Sequence, residues 1–315
     1  MRRADEVTPR NKGEETALKF YTLLMKKDLA GFADIWTADA VQEIPFPPEI
    51  EGFEPIWSGK ERLLAYYNKA MPGRRDHAFY IHDLHSTSDP NCVIVEASAH
   101  SIVLATGRSY DQRYIFIYRI RDGRIVLTRE HVNPLAFMKA FAPATQGAVE
   151  PKIGREAINK LDRGGERADR IKPADEREAT VLSFFTLLMK GDLDGFGKIW
   201  ADDAVQEHPF GFEGLAPALT GREEILDDYR RMFRNRRDLE FTVYQVHRTL
   251  DPDCLIVEAR GVSKVGETGG TYDNRYVALF RLREGTIVLN RFYFNPIIAR
   301  AAFKGVLIGE GISKQ

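Results

Sequence analysis

The sequence predicts an α+β protein built from two tandem copies of one domain. Three observations carry this reading. The chain resembles itself at a nearly constant spacing, each copy opens with amphipathic helical runs, and each closes with long runs rich in valine, isoleucine and aromatic residues. Leu24-Met25-Lys26-Lys27-Asp28 recurs as Leu188-Met189-Lys190-Gly191-Asp192, and Ala40-Val41-Gln42-Glu43 as Ala204-Val205-Gln206-Glu207. The spacing is 164 residues up to that point. It becomes 162 after a loop near residues 46–58, and Arg74-Arg75-Asp76, His85, Tyr110-Asp111 and Asn133-Pro134 then match Arg236-Arg237-Asp238, His247, Tyr272-Asp273 and Asn295-Pro296. So long a period makes each copy a whole domain, not one turn of a solenoid.

The expected organisation is a flexible tail over residues 1–13, a domain over 14–141, a linker over 142–177, a second domain over 178–304 and a tail over 305–315. The linker contains Gly164-Gly165, prolines and alternating charge, with room for a short amphipathic helix.

Within each copy the first helix carries one apolar stripe, Ala17, Phe20, Tyr21 and Leu24 in the first and Val181, Phe184, Phe185 and Leu188 in the second. Asp28 and Asp192 are placed to cap a second, short helix whose apolar face takes in Leu29, Phe32 and Trp36, or Leu193, Phe196 and Trp200. Ser58-Gly59-Lys60-Glu61 and Thr220-Gly221-Arg222-Glu223 read as capping boxes opening a third helix, with Leu63, Leu64 and Tyr67, or Ile225, Leu226 and Tyr229, facing inward. Strands are expected over 92–105, 109–121 and 124–132, with Asp122-Gly123 and Glu284-Gly285 as hairpin turns. Helices on one face of an antiparallel meander complete the domain, and a curved sheet so covered leaves a hollow for a small ligand.

Composition narrows the function classes. The chain has 315 residues, a formal charge of −1 and no apolar run long enough to span a bilayer, so neither nucleic acid nor a membrane is an expected partner. Arg74-Arg75 and the basic stretch 234–237 read as solvated loops. Cys92 and Cys254 occupy equivalent positions and read as small buried apolar residues. No Cys or His spacing suits a metal, no glycine loop suits a phosphate, and the expected setting is reducing and cytoplasmic.

The helix order, the tryptophan after the second helix, the capped third helix and the Gly-Arg-Ile or Gly-Thr-Ile start of the last strand together resemble the SnoaL-like branch of the nuclear transport factor 2-like superfamily. The strand Arg129-Glu130-His131-Val132-Asn133-Pro134, preceded by Tyr110-Asp111-Gln112-Arg113-Tyr114, is most similar to the phenazine-biosynthesis A/B proteins. The resemblance implies a cone-shaped, cystatin-like α+β roll with three helices on a curved antiparallel sheet. It also implies that the two copies pair as an intrachain pseudo-dimer, with a further homodimer open. The superfamily includes cyclases, isomerases, epoxide hydrolases, dehydratases and binding proteins, so activity must be argued from the site.

Differences between the copies point to that site. Val126, Thr128, Glu130 and Val132 share one strand face in copy one, where copy two has Val288, Asn290, Phe292 and Phe294. A carboxylate in a phenylalanine's place is expected to be enclosed, and enclosure raises its pKa toward neutrality. The resemblance agrees, since in the phenazine A/B proteins the glutamate of Glu-x-x-Asn-Pro lies in the cavity and handles a proton. Glu130 is therefore the leading catalytic candidate. His100, with Val262 as its counterpart, is a candidate second proton carrier. His77, His82 and His131 also lack histidine counterparts, and His131 should face away from Glu130. Trp36, Tyr67, Tyr110, Gln112, Tyr114 and Thr128 are the expected substrate wall. Trp200, His208, Tyr229, Tyr276, Asn290 and Phe292 are the expected second pocket. Asp111 and Arg113 recur as Asp273 and Arg275 and read as a structural ion pair on one strand face. The expected activity is acid–base chemistry without metal or cofactor on an apolar, conjugated small molecule: cyclisation, isomerisation, condensation or dehydration. The alternatives are a non-catalytic binding or interaction protein, and an epoxide or ester hydrolase if a second acid lies near Glu130.

Overall fold

A computed structural model describes residues 1–48, 53–141, 164–234, 236–266 and 270–303. The chain divides into two compact units, Met1–Leu161 and Asp162–Gln315. In unit 1 the order is β1 (Arg2–Arg3), a 3₁₀ turn (Ala4–Glu6), α1 (Lys12–Lys26), α2 (Leu29–Asp34), β2 (Trp36–Glu43), β3 (Ile56–Ser58), α3 (Lys60–Ala70), β4 (Arg74–Ser86), β5 (Cys92–Val103), β6 (Ser109–Arg121), β7 (Arg124–Val132) and α4 (Pro134–Phe141). Unit 2 repeats it as β8 (Glu166–Arg167), a 3₁₀ turn (Ala168–Arg170), α5 (Glu176–Lys190), α6 (Leu193–Lys198), β9 (Trp200–Glu207), β10 (Ala218–Thr220), α7 (Arg222–Arg234), β11 (Arg236–Arg248), β12 (Cys254–Val265), β13 (Thr271–Arg283), β14 (Thr286–Phe294) and α8 (Pro296–Ala302).

Each unit has one seven-stranded sheet, ordered β1-β4-β5-β6-β7-β2-β3 in the first. The central strands form the expected antiparallel meander. The sheet as a whole is mixed, because β2 runs parallel to β7, with Gln42 opposite Thr128 and Glu43 opposite Arg129. Trp36 and Trp200 therefore open strands; the preceding helices stop at Asp34 and Lys198. The aspartate caps hold, with the Asp28 and Asp192 carboxylates each accepting a backbone N–H at 2.8 Å. The third helix starts differently from the capping-box expectation. Ser58 ends β3, and Gly59 is the N-cap at φ 89°, a left-handed conformation that a side chain disfavours. In unit 2 the Thr220 N–H donates to Glu224 one turn on, at 2.7 Å, rather than to Glu223.

The N-terminus is not a loose tail. Arg2 and Arg3 pair with Ile81 and Tyr80 at the sheet edge, and Ala4 is fully buried. The same device opens unit 2, where Arg167-Ala168-Asp169 repeats Arg3-Ala4-Asp5. Residues 164–177 thus belong to unit 2 and not to the linker. Residues 142–163, with the helix expected there, and the tail 305–315 lie outside the described residues.

The stripe of α1 packs Phe20 and Tyr21 onto the sheet against Phe116 and Tyr118, with Phe32, Trp36 and Tyr67 completing the aromatic core. Offset and edge-to-face contacts of this kind stabilise beyond the area they bury. Asp122-Gly123 and Glu284-Gly285 take the expected left-handed turn conformations. Cys92 and Cys254 are buried free thiols. Among the described residues no helix is long and apolar enough to cross a membrane.

Candidate active-site cavity

The cavity follows from an irregularity in β4. The pairing of Arg75 with Ile102 and of Ala78 with His100 leaves one extra residue on β4, and Asp76 takes φ 56° there. A bulge reverses the alternation of side chains. Arg74 before it and His77 and Phe79 after it consequently all line the same hollow. Asp238 holds the same conformation in unit 2, at φ 53°. Arg74 and Arg236 therefore begin inward-turned strands, contrary to the solvated-loop expectation. Their guanidinium groups lie over aromatic rings, Arg74 4.9 Å from Tyr110 and Arg236 4.7 Å from Tyr272.

The unit 1 hollow is tight, with about 30 Å³ open to the centre of a water-sized sphere and about 530 Å³ when all space between the lining atoms and its open mouth is counted. Its floor is β6 and β7, its wall α1, α3 and β4, and one side is Phe137 of α4. Glu130 lines it and is the only acid among the described lining residues. Gln42 donates from Nε2 to Glu130 Oε2 at 2.7 Å, and the Tyr67 hydroxyl donates to Gln42 Oε1 at 2.9 Å. Burial pushes the Glu130 carboxyl up to about 7, against the opposing pull of Arg74 and the Gln42 hydrogen bond. His77 is driven the other way, down to about 3, by burial first and then by Arg74 and Lys27. It is neutral at pH 7, and neither ring nitrogen has a hydrogen-bond partner. Burial also raises the phenol pKa of Tyr66, Tyr67, Tyr110 and Tyr114, which keeps them protonated donors.

Of the expected wall, Tyr67, Tyr110 and Tyr114 line the hollow, and the Tyr114 hydroxyl donates to that of Tyr110 at 3.4 Å. Trp36 does not reach it; it packs in the core behind Phe20 and Phe32. Thr128 is fully buried below, and Gln112 is occupied in closing the strand end, exchanging hydrogen bonds with Asn133 N and O at 2.9 Å each. A bulge at the β6–β7 pairing also puts Ile125, not Val126, into the core.

His100 is not brought to Glu130. It lies on the other sheet face, half-exposed, with Nδ1 2.6 Å from Asp111 Oδ1. That cross-strand contact ties Asp111 to β5 rather than to Arg113 two residues along its own strand, and in unit 2 Arg260 on the neighbouring strand lies 2.6 Å from Asp273. His131 faces away from the hollow as expected, with Nδ1 3.2 Å from Ile115 O. Asp83, His85 and Glu96 place three possible ligand atoms within 4.8 Å, a cluster that residue spacing missed because strand pairing creates it. The His85–Glu96 contact of 3.0 Å recurs as His247–Glu258 at 2.9 Å with Gln245 in place of Asp83, which marks it as part of the fold.

Unit 2 fills the equivalent space with rings. Phe292 stacks on Tyr276 at 4.6 Å and packs against Phe184 and Phe294. Gln206 donates to both Tyr229 and Asn290 at 2.9 Å, and Asn290 is tied back to Leu279 O. His208 holds Ala216 O at 2.9 Å with its pKa lowered by burial, and Trp200 sits in the core as Trp36 does. These residues are interior packing, not a matched set of polar groups facing a cavity.

The sequence reading missed Arg74, His77, Tyr66 and Gln42. The loss of His77 at Leu239 was visible, but the bulge that aims it inward carries no mark in a single sequence.

Known proteins place these features in a family. The model of the SnoaL-like domain matches residues 17–128 and again 181–290. The uncharacterized Bacillus subtilis protein YesE is 33% identical over 127 residues, covering 40% of this chain and 85% of its own length. An uncharacterized PhzA/B-like protein of Pseudomonas aeruginosa is 32% identical over 120 residues, covering 38% and 84%. Among solved structures, a putative isomerase from Bacillus subtilis is 28% identical at a TM-score of 0.40, covering 43% of this chain and 97% of its own. A phenazine biosynthesis-related protein from Pseudomonas aeruginosa is 20% identical at a TM-score of 0.36, covering 50% and 95%. With a domain match in each half, the chain belongs to the SnoaL-like family as a tandem of two such domains.

Proposed function

We propose that unit 1 is an acid–base enzyme acting on a small conjugated molecule, with Glu130 as the group that moves the proton. One observation carries this: among the described residues one carboxyl, Glu130, faces the hollow, with its pKa held near 7. At that pKa both forms are populated at neutral pH. The carboxylate removes a proton from a carbon next to a carbonyl, and the resulting acid returns it to another carbon or to a leaving oxygen. Return to carbon is an isomerisation and return to a leaving oxygen a dehydration; where the carbanion instead attacks a carbonyl carbon of the same molecule, the acid protonates the new alkoxide and the outcome is a cyclisation. Gln42 holds Glu130 in place, and the protonated tyrosines supply donors for an oxygen that gains charge. The absence of another acid among the described lining residues favours this over hydrolysis by a carboxylate-positioned water.

A second reading applies to unit 2. Phe292 occupies the position of the proton carrier and stacks on Tyr276, which supports a scaffold or binding role for that unit.

The test is hydrogen–deuterium exchange by NMR over a panel of conjugated and β,γ-unsaturated ketones in D₂O. The full chain should accelerate exchange at the acidic carbon, and Glu130→Gln should abolish it while Phe292→Leu leaves it intact. Undiminished exchange in Glu130→Gln would remove Glu130 from the chemistry. Ligand binding without any exchange would leave unit 1 a binding domain.

A further inference from the structure

His77 is the lining residue of the unit 1 hollow that the fold itself least explains. Both of its ring nitrogens are buried, and neither meets a hydrogen-bonding atom. A neutral imidazole carries one N–H donor and one acceptor nitrogen, and each costs free energy when left unmet in the interior. Unit 2 keeps the bulge that turns this position inward but places the buried Leu239 there, so the architecture requires no polar group. The ring lies 4.7 Å from that of Phe79, an apolar packing site that Leu239 fills within the core of unit 2. Proton transfer does not explain the residue either. Burial, Arg74 and Lys27 hold its pKa near 3, so at pH 7 it carries no proton to give and is a very weak base. What remains to it is a hydrogen bond to a molecule in the hollow.

We infer that His77 touches the substrate, its ring N–H donating to a carbonyl oxygen, and that this oxygen lies at the far end of the molecule from the carbon served by Glu130. The inference deepens the reading above and rests on it for the role of Glu130. The separation follows from the sheet. His77 is on β4 and Glu130 on β7, the outer two of four successive strands. At the usual strand spacing their backbones stand about 14 Å apart across the sheet, before curvature brings them nearer. The two side chains therefore reach different atoms of one ligand. The substrate class is a ketone or aldehyde whose acidic carbon is joined to the carbonyl through further double bonds. Glu130 takes the proton from that carbon, and the electron pair of the broken C–H bond moves along the conjugated bonds until the charge rests on oxygen. Return of the proton to a carbon nearer the carbonyl shifts a double bond and needs no oxidant or co-reactant. A neutral imidazole suits the oxygen end, because its hydrogen bond strengthens as the oxygen gains charge.

The experiment compares two small probes of one shape on the full chain at pH 7: acetophenone, and α-methylstyrene, in which a methylene replaces the oxygen. Their dissociation constants are read by ligand NMR. His77→Leu, which copies unit 2, should lower the preference for the ketone by about three- to tenfold, the scale of one neutral hydrogen bond. His77→Gln keeps a donor and should lower it less. In spectra of the nitrogen-15 histidine-labelled chain, the ring N–H signal missing from His77→Leu should move when acetophenone binds and hold still for α-methylstyrene. On any ketone that the chain exchanges, His77→Leu should cut kcat by about tenfold or more and change KM less, since the bond tightens as charge develops. Glu130→Gln should lose exchange and keep the ketone preference. A Glu130→Gln chain that still exchanges removes the proton carrier and leaves the oxygen contact standing, so the two readings fail separately. An unchanged preference in a folded His77→Leu overturns the inference. So does a His77 N–H signal indifferent to acetophenone, or acetophenone that does not bind up to its solubility limit.

Discussion

Replacing Glu130 by Gln should make unit 1 more stable at pH 8 than at pH 5 relative to the wild type. The carboxyl titrates near its ordinary 4.5 in the unfolded chain and at about 7 in the folded one. Between those values the folded state binds more protons than the unfolded state, so wild-type stability falls as pH rises. A gap of this size corresponds to about 3 kcal/mol once both forms are ionised. Part of it is already lost at pH 5, where an unfolded glutamate is mostly charged. The advantage of Glu130→Gln should therefore grow by about 2 to 3 kcal/mol between pH 5 and pH 8. Glutamine has the same shape and no charge, so cavity terms largely cancel in the comparison. The assay is urea denaturation of both proteins at half-unit pH steps, with the transitions of the two units fitted separately because a two-unit chain need not unfold in one step. In melting temperature the change is about 5 to 12 °C for a domain of this size. A pH-independent difference would show that the carboxyl ionises freely in the folded protein. A difference that shrinks as pH rises would show that Arg74 holds it charged. Either result removes the ground for a proton carrier poised near neutrality.

Three further outcomes test the surrounding geometry. Gln42→Leu removes the amide that donates to the ionised Glu130, so it should raise the apparent Glu130 pKa by about one unit or more, read by NMR of the labelled carboxyl carbon. Asp76→Val forces a β-branched side chain into the left-handed conformation at the β4 bulge and should cost about 1 to 2 kcal/mol, whereas Asp76→Gly should be near neutral, both by denaturant titration. Phe292→Ala should open a void beneath Tyr276 and destabilise unit 2 by about 2 to 3 kcal/mol with little effect on unit 1, measured by calorimetry.

How far the sequence disclosed this molecule depended on whether a feature leaves a local mark. The stripe Ala17, Phe20, Tyr21, Leu24 and the cap Asp28 are local, and both appear as expected. So is the pair Asp122-Gly123, whose backbone demand only a few residues meet. The strand β2 is not local. Its partner β7 lies more than 80 residues away, and Ala38 and Asp39, residue types depleted in strands, dilute its β-pattern. β1 is two residues long and exists only through β4. Arg74 begins β4 among Arg75 and Asp76, a charged run that polarity alone assigns to solvent. What turns it inward is sheet pairing and the aromatic bed of Tyr110 and Phe141. The candidate site divides in the same way. Glu130 stood out because the second copy supplied a phenylalanine for comparison. His100 misled because alternation fixes which residues share a face but not which face is the hollow.

The duplication itself sharpens the case for where the chemistry sits. Both units keep the same strand order, the same bulge, the same aspartate caps and the same buried His–Glu pair. These features serve folding, and both copies need them. At the cavity the units part company: Glu130 stands against Phe292 and His77 against Leu239. Each unit 1 version is the worse choice for stability alone, since it encloses an acid or an unpartnered imidazole where unit 2 has apolar side chains. Unit 2 shows that the fold accommodates an apolar side chain at both of these positions. Both costs fall on the lining of one hollow, and no requirement of the fold explains them, since unit 2 keeps the fold without either; that convergence is what supports placing the proposed proton transfer in unit 1.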